Sequence, residues 1–277
     1  MNRAVSRLVP HSFDEARVRE AAEEMRAELG APPTLAIAFI STDYTPHLED
    51  FQEIITVHGH ASQLVGSTGS GLIGTRKEAE MASGFSLLFL YLPQGKVRTI
   101  PLAQGQVETA ESDTFWQEVA GGSAETWLTL ANPFRFDTDT WLKEWNRAFP
   151  QAPTLGGLAS GPDGEENVVV FGPAIGQTCD ALAIALDGVR VETVISQGCR
   201  PIGEALPITR ADEHLLLELG SRPAYQVLEQ AFNTLAEAEK QHARGNLFAG
   251  LAVNEYQEKF GRGDFLVRNI LGADPAT

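Results

Sequence analysis

Gln63-Leu64-Val65-Gly66, which opens the run QLVGSTGSGLIG at 63–74, has a counterpart at Thr154-Leu155-Gly156-Gly157, which opens TLGGLASGP at 154–162. Each is a short β-like run broken by glycine, and each follows an amphipathic helix. The first helix spans 46–58, with Pro46 at its start and Leu48, Phe51, Ile54 and Ile55 at helical spacing. The second spans 138–149 and carries Trp141, Leu142, Trp145, Ala148 and Phe149. Their spacing marks these rings as core and not as a stacking platform. Upstream lie two strands: Thr34–Ile40, apolar throughout and therefore expected to be buried on both faces, and Trp127–Ala131. Further upstream are helices at 12–29 and around 111–120. Ser12 and Glu15 have capping-box spacing, and Gly30 and Gly121-Gly122 stand where helices end. Downstream, Ser86–Leu92 and Lys96–Leu102, with Pro93-Gln94-Gly95 as a hairpin turn, match Asp180–Leu186 and the run from Arg190 to Val194.

The order thus repeats, with 12–102 laid over 111–196, and reads as a tandem duplication. The competing reading is the helix–strand alternation of any α/β protein. The expected fold class is α/β: two similar tandem halves packed into one sheet-rich unit, with a C-terminal helix and additional strands. After the second half, Val191–Ile195 alternates like a half-buried strand. It runs into SQGCRPIGEALPITRADEHLLLELGSRPAYQVL at 196–228. Two glycines and a proline within 198–203 shape a loop, and a short β-like run, Ala205 to Thr209, ends at a polar break over 210–213. Leu215–Leu219 is again apolar. Ser221-Arg222-Pro223 opens one long helix to Gly245, with Ala224, Val227, Leu228, Ala231 and Leu235 as its buried stripe. Strands are expected at 247–254 and 265–271.

The Gly198–Gly203 run, the strand end at Ile208-Thr209 and the helix start at Pro223-Ala224 resemble the FIST family, the F-box and intracellular signal transduction domain. Leu64–Gly71 and Phe265–Pro275 fit the same family. The resemblance covers nearly the whole chain after about residue 30 and divides it into a leading helix (1–30), an N-terminal part (31–105), a second half (106–196) and a C-terminal part (197–277). Family members usually continue past this point with more sheet-forming sequence, so the resemblance implies either a naturally short member or an incomplete C-terminal part. It also implies a cytosolic sensory module that binds small ligands such as amino acids. It carries over no catalytic residues.

Bulk properties agree with such a module. The 277 residues are 43% hydrophobic, enough for a proper core. With 21 basic and 37 acidic residues the net charge is −16, which repels nucleic-acid backbones and anionic membranes. Cys179 and Cys199 form no disulfide framework, and no run is long enough for a signal peptide or a membrane span. The expected location is cytoplasmic, with both thiols reduced and not bonded to each other.

Several motifs could carry chemistry. Gly69-Ser70-Gly71-Leu72-Ile73-Gly74 spells the dinucleotide fingerprint, but only about nine residues separate it from the next strand, leaving no room for the required helix. A phosphate-binding P-loop is excluded because Leu72 stands where lysine is needed. Tight turns and close packing explain both glycine loops as well as a binding role does. In the binding role, Gly66, Ser67, Thr68 and Ser70 of one loop and Gly157 and Ser160 of the other line a small polar pocket near a pseudo-twofold axis. Cys199 beside Arg200 could be an activated thiol, though most single cysteines are packing residues. Arg200 could hold a ligand carboxylate bidentately, or pair with Glu204 or Asp212. His47, His58 and His60 lack a completing ligand set, so no metal is expected. No cofactor is expected.

The favoured reading is therefore a non-catalytic sensory domain for a small ligand bearing a carboxylate, with a signalling protein as partner. The alternatives are an enzyme using Cys199 or the glycine loops on a small metabolite, and a protein-interaction scaffold.

Overall fold

The computed structural model describes residues 1–270 and 272, apart from positions 111, 163, 166, 195–198, 214, 255, 258 and 262. It divides into one unit at Met1–Val191 and a second at Glu192–Thr277.

The first unit begins with a strand that amphipathicity did not announce, β1 (Arg3–Val9), followed by α1 (Glu15–Leu29). Asp14, not Ser12, caps α1, accepting from Arg17 N–H at 3.0 Å; Gly30 closes it in the left-handed conformation with φ 69°. Then come β2 (Leu35–Ile40), a 3₁₀ turn at Thr42–His47, α2 (Leu48–Gly59) and β3 (Leu64–Thr68). The glycine run that follows forms its own small hairpin, β4 (Gly71–Gly74) with β5 (Lys77–Glu80), before β6 (Phe85–Tyr91). The chain continues through β7 (Lys96–Leu102), α3 (Gln104–Thr109), α4 (Asp113–Ala120), β8 (Thr126–Ala131), α5 (Thr138–Ala148), β9 (Thr154–Leu158), the short β10 (Val170–Phe171) and β11 (Thr178–Cys179), and β12 (Ala181–Asp187).

Among the described residues, these strands form a six-stranded sheet of order β1-β6-β2-β3-β10-β11 and a four-stranded sheet of order β7-β12-β8-β9. The frame of the repetition follows from the pairing. β1 lies antiparallel to β6, β6 antiparallel to β2, and β2 parallel to β3; β7, β12, β8 and β9 repeat that sequence of relations. Lys96–Leu102 therefore opens the second sheet. Pro93-Gln94-Gly95 is a turn, with Gly95 N–H on Leu92 O at 2.9 Å, but it passes the chain between sheets and closes no hairpin. The run from Arg190 to Val194 expected to match it forms no strand; Ile195 lies outside the described residues.

Burial explains the layering. Val18, Ala22, Met25 and Leu29 of α1 and Leu48, Phe51 and Ile55 of α2 cover one face of the first sheet against Ala36, Ala38, Ile40, Phe85, Leu87 and Phe89. Trp116, Trp141 and Trp145 of α4 and α5 cover the second sheet around Trp127 and Phe149, with ring centroids 4.7–5.9 Å apart. Trp116 Nε1 donates to Glu144 at 2.8 Å, whereas the buried indole N–H groups of Trp127, Trp141 and Trp145 have no acceptor among the described residues. The other faces of the two sheets meet through Leu35, Val65, Val170, Leu130, Leu182 and Ile184. At about 1.5–3 kcal/mol per buried aliphatic side chain, this shared layer binds the halves into one unit. The order is helix, sheet, sheet, helix.

The second unit holds a sheet of order β13 (Ile208–Asp212), β14 (Leu215–Leu219) and β15 (Arg222–Pro223), then α6 (Ala224–Asn233), α7 (Glu237–Ala243) and a hairpin of β16 (Phe248–Ala252) with β17 (Phe265–Asn269). The expected single helix to Gly245 is two. Thr234 Oγ1 turns back to Ala231 O at 2.7 Å, and Glu239 caps the new start at Ala236 N–H at 3.2 Å. Ser221 does not cap α6; it sits in a left-handed turn at φ 60°, its N–H donating to Thr209 Oγ1 at 2.9 Å. The stripe Ala224, Val227, Leu228, Ala231 and Leu235 is half-buried, and no described residue of this unit is fully buried.

Candidate functional site

In both sheets the paired parallel strands, β2 with β3 and β8 with β9, end side by side and release loops where open α/β sheets commonly bind ligands. Register shows which positions correspond. Ala38 lies opposite Gly66 and Thr129 opposite Gly156. A Cβ on Gly66 would stand 2.0 Å from Ala38 O, and one on Gly156 1.9 Å from Thr129 O, so both sites require the missing side chain. Gly66 thus corresponds to Gly156, one residue from the Gly66–Gly157 match read in the sequence. Beyond them, Gly69 N–H donates to Ile40 O at 2.9 Å and Ala159 N–H to Ala131 O at 2.8 Å. Ser70 and Ser160 follow in equivalent places.

The two serines meet. Ser70 N–H donates to Ser160 Oγ at 3.1 Å, the two hydroxyl oxygens lie 3.3 Å apart, and Ser160 N–H donates to Thr68 O at 3.2 Å. Thr68 is buried and tied to Val169: its N–H donates to Val169 O at 3.0 Å, and its hydroxyl accepts from Val169 N–H at 3.1 Å. Ser67 is 2% exposed, and its hydroxyl has no partner among the described residues. Gly157 is exposed, with nothing within 4 Å of where its Cβ would stand. It lies on the outer strand of its sheet.

Four residues that the sequence reading passed over belong to this end of the unit. Ser41 and Asn132 are the equivalent first residues after β2 and β8; their N–H groups donate to Gly84 O at 2.9 Å and Asp180 O at 2.8 Å. Ser41 Oγ accepts from Gly84 N–H at 2.8 Å and contacts Asp43 Oδ1 at 2.5 Å, while Ser83 donates to the other Asp43 oxygen. Asn132 spans Val168 O and Phe134 N–H at 2.8 and 3.0 Å. A polar residue directly after an all-apolar strand was the available signal. An open cleft of about 560 Å³ lies elsewhere, lined by Gln117, Gly122–Glu125 and Ala148–Ala152, at the opposite ends of β8 and β9.

The remaining candidates are placed as follows. Cys199 and Arg200 belong to the second unit. Arg200 donates to Glu239 at 2.7 Å, with both side chains about half exposed, and not to Glu204 or Asp212. Cys179 and Cys199 are both free; burial, then the charge of Asp180, pushes the Cys179 thiol up to about 12, so it stays protonated and inert at neutral pH. His47 stacks on Phe13 with centroids 4.4 Å apart, His58 contacts Glu23 at 2.8 Å and His60 contacts Arg26 at 2.6 Å. Among the described residues no group of three or more histidine, cysteine or carboxylate side chains is placed to hold a metal ion. The Gly69–Gly74 fingerprint leads into strand β4, so no helix N-terminus faces its amides. Among the described residues no helix is long and apolar enough to cross a membrane.

The fold and this junction define a mixed α/β protein whose first unit is built from two like-ordered sheets joined by paired loops. The chain belongs to the FIST family: the FIST N domain matches residues 34–222. That domain is associated with signal transduction. The uncharacterized protein MT0656 of Mycobacterium tuberculosis (strain CDC 1551 / Oshkosh) is 28% identical over 259 residues, covering 93% of this chain and 67% of the relative. The uncharacterized protein Mb0898c of Mycobacterium bovis is 29% identical over 268 residues, covering 93% of this chain and 66% of the relative. The chain spans about two thirds of the length of these relatives.

Proposed function

We propose that this protein is a non-catalytic sensory domain that holds a small polar ligand, such as an amino acid or another small carboxylate, at the junction of the Ser70 and Ser160 loops, and passes the occupancy to a signalling partner. The observation that carries the reading is the meeting of two equivalent loops, one from each sheet, through Ser70 N–H and Ser160 Oγ. A ligand that inserts there exchanges one loop–loop hydrogen bond for contacts to both loops, and so changes how the halves are joined. Ser67, whose hydroxyl has no partner among the described residues, supplies a further neutral contact, while Thr68 stays tied to Val169. In this reading Gly66 lets the β3 backbone lie close enough to β2 to set the loop.

A thermal-shift panel of free amino acids and small carboxylates tests the reading. A compound at a hundred times its Kd stabilises by about 2.7 kcal/mol, which raises the melting temperature of a unit this size by about 5–10 °C. Ser160→Ala and Ser70→Ala should each abolish the shift while leaving the unliganded melting temperature within about 2 °C, as expected when one exposed-to-half-buried hydroxyl is removed. A panel in which nothing stabilises, or equal stabilisation of the wild type and both variants, would overturn the assignment of the site.

A further inference from the structure

Among the described residues of the first unit, β9 ends its sheet and its outer edge is open. The bonds from Trp127 N–H to Pro153 O and from Ala159 N–H to Ala131 O turn the backbone groups of the odd-numbered positions toward β8. In a parallel pair the groups of Thr154, Gly156 and Leu158 therefore point away from the sheet. Gly156, Gly157 and Leu158 are exposed, Leu158 at 56%. The equivalent edge in the other sheet is not open. There β10 lies antiparallel on β3, with Phe171 opposite Gly66 and Val170 opposite Ser67. β10 comes from the connection between β9 and β12. The matching connection between β3 and β6 would have to return the favour, but its hairpin β4–β5 lies instead along its own sheet, where Ser86 Oγ donates to Ile73 O at 2.5 Å and a Cβ on Gly74 would stand 2.5 Å from Leu8 Cβ. The twofold relation between the halves is broken at this one edge.

Nothing about β9 protects it. Natural edge strands carry charges, prolines or bulges that discourage pairing. Residues 148–162 hold no charged side chain, in a chain of net charge −16. Gly157 weakens the strand without a reason inside the chain, since a Cβ there meets nothing within 4 Å and its φ is not left-handed. A glycine inside a strand marks a place where another backbone or ligand comes close.

The geometry points to a second copy of this chain as the occupant, the two β9 edges pairing antiparallel about a twofold axis at Gly156. The sequence of the edge is complementary to itself in that register. Gly156 faces Gly156 of the second copy across a hydrogen-bonded pair, and Thr154 faces Leu158, using the groups that point outward. Leu155 then falls opposite Gly157 in the intervening pair, where side chains approach most closely, and the glycine makes room for the leucine. An isologous pair of this kind closes on itself and leaves no free edge to propagate. The absence of charge over 148–162 removes the repulsion that a self-pairing acidic protein would otherwise meet.

Light scattering on the whole chain, from micromolar to submillimolar concentration, should show a monomer–dimer equilibrium. Hydrogen exchange should show the Gly156 and Leu158 amides becoming protected as the dimer forms, with the Gly157 and Ala159 amides protected throughout. Leu158→Lys places a charge opposite Thr154 at an exposed position. It should raise the dimer Kd at least about tenfold and abolish the concentration-dependent protection, with the melting temperature at low concentration unchanged. Leu158→Val should keep the dimer. A monomer at every concentration overturns the inference. So does a dimer in which the Gly156 and Leu158 amides exchange freely, because its interface is elsewhere. Protection of those amides in the dilute monomer overturns it too, because the edge is then covered from within the chain.

Discussion

Gly66→Ala tests the packing on which the candidate site depends. The added Cβ would stand 2.0 Å from Ala38 O, 2.5 Å from Phe171 Cζ and 2.9 Å from Ala38 C. Two of these atoms are backbone in the middle of a buried sheet, and Ala38 is itself fully buried between β6 and β3. No rotamer relieves the contact. β2 and β3 must separate by more than an ångström, which stretches the hydrogen bonds flanking the pair and shifts the Phe171 ring. Overpacking costs about 1–3 kcal/mol and the weakened ladder about 1 kcal/mol more, so a loss of about 2–4 kcal/mol is expected. Against a typical total of about 5–15 kcal/mol this is severe. For a unit of this size it lowers the melting temperature by about 4–16 °C. Calorimetry or urea unfolding followed by tryptophan fluorescence reads the change. Gly156→Ala, with its Cβ 1.9 Å from Thr129 O, should cost a similar amount. Gly157→Ala, one residue away with nothing within 4 Å, is the control and should fall within about 0.5–1 kcal/mol of the wild type, on the stabilising side. A Gly66→Ala protein within 1 kcal/mol of the wild type, on the order of a routine surface change, would refute the reasoning.

Three further outcomes follow from the structure. Titration of denatured, non-reduced protein should find two free thiols, and in the native protein at pH 8 Cys179 should not react, because burial holds its thiol up to about 12; rapid native modification at Cys179 would contradict that burial. Asp137 caps α5, and the Thr140 N–H, with the Thr140 hydroxyl next, holds its carboxyl below the ordinary value of 3.8. Its contribution is therefore present above pH 4 and lost as pH falls through the lower folded value. Asp137→Ala should cost about 1 kcal/mol at neutral pH, and urea melts of the two proteins should converge toward pH 2; a gap that widens on acidification would refute the sign. Arg200→Ala should change stability by no more than about 1 kcal/mol, since the Glu239 pair is half exposed and screened; a larger loss in thermal unfolding would mean that this ion pair is structural.

Local pattern was enough for most of the elements. The 3.6-residue spacing of Leu48, Phe51 and Ile55, the apolar run 35–40 and the paired glycine loops are properties of neighbouring residues, and each appears in the structure within a residue or two. The α/β class and the repetition of order follow from those elements alone. β1 was not legible, because Arg3–Val9 is an edge strand whose partner, Phe85–Tyr91, lies some eighty residues away and whose own residues are only half apolar. The sheet that Lys96–Leu102 joins was not legible either. A turn at Pro93–Gly95 has the same local chemistry whether it closes a hairpin or crosses between layers, and only the pairing with Ala181–Asp187 settles which.

The same division runs through the site. That glycine loops would converge was legible from their matched positions. The one-residue offset that makes Gly156 and not Gly157 the partner of Gly66 is a matter of strand register, which depends on hydrogen bonds between β8 and β9. Ser41 and Asn132 gain their place from backbone groups at Gly84, Asp180 and Val168, and Asp43 from the hydroxyls of Ser41 and Ser83. Residue type and spacing determined which segments could be helix, strand or loop. Long-range pairing decided which glycine is indispensable, which serines meet and which edge stays open, because those depend on distances between atoms that the chain order leaves free.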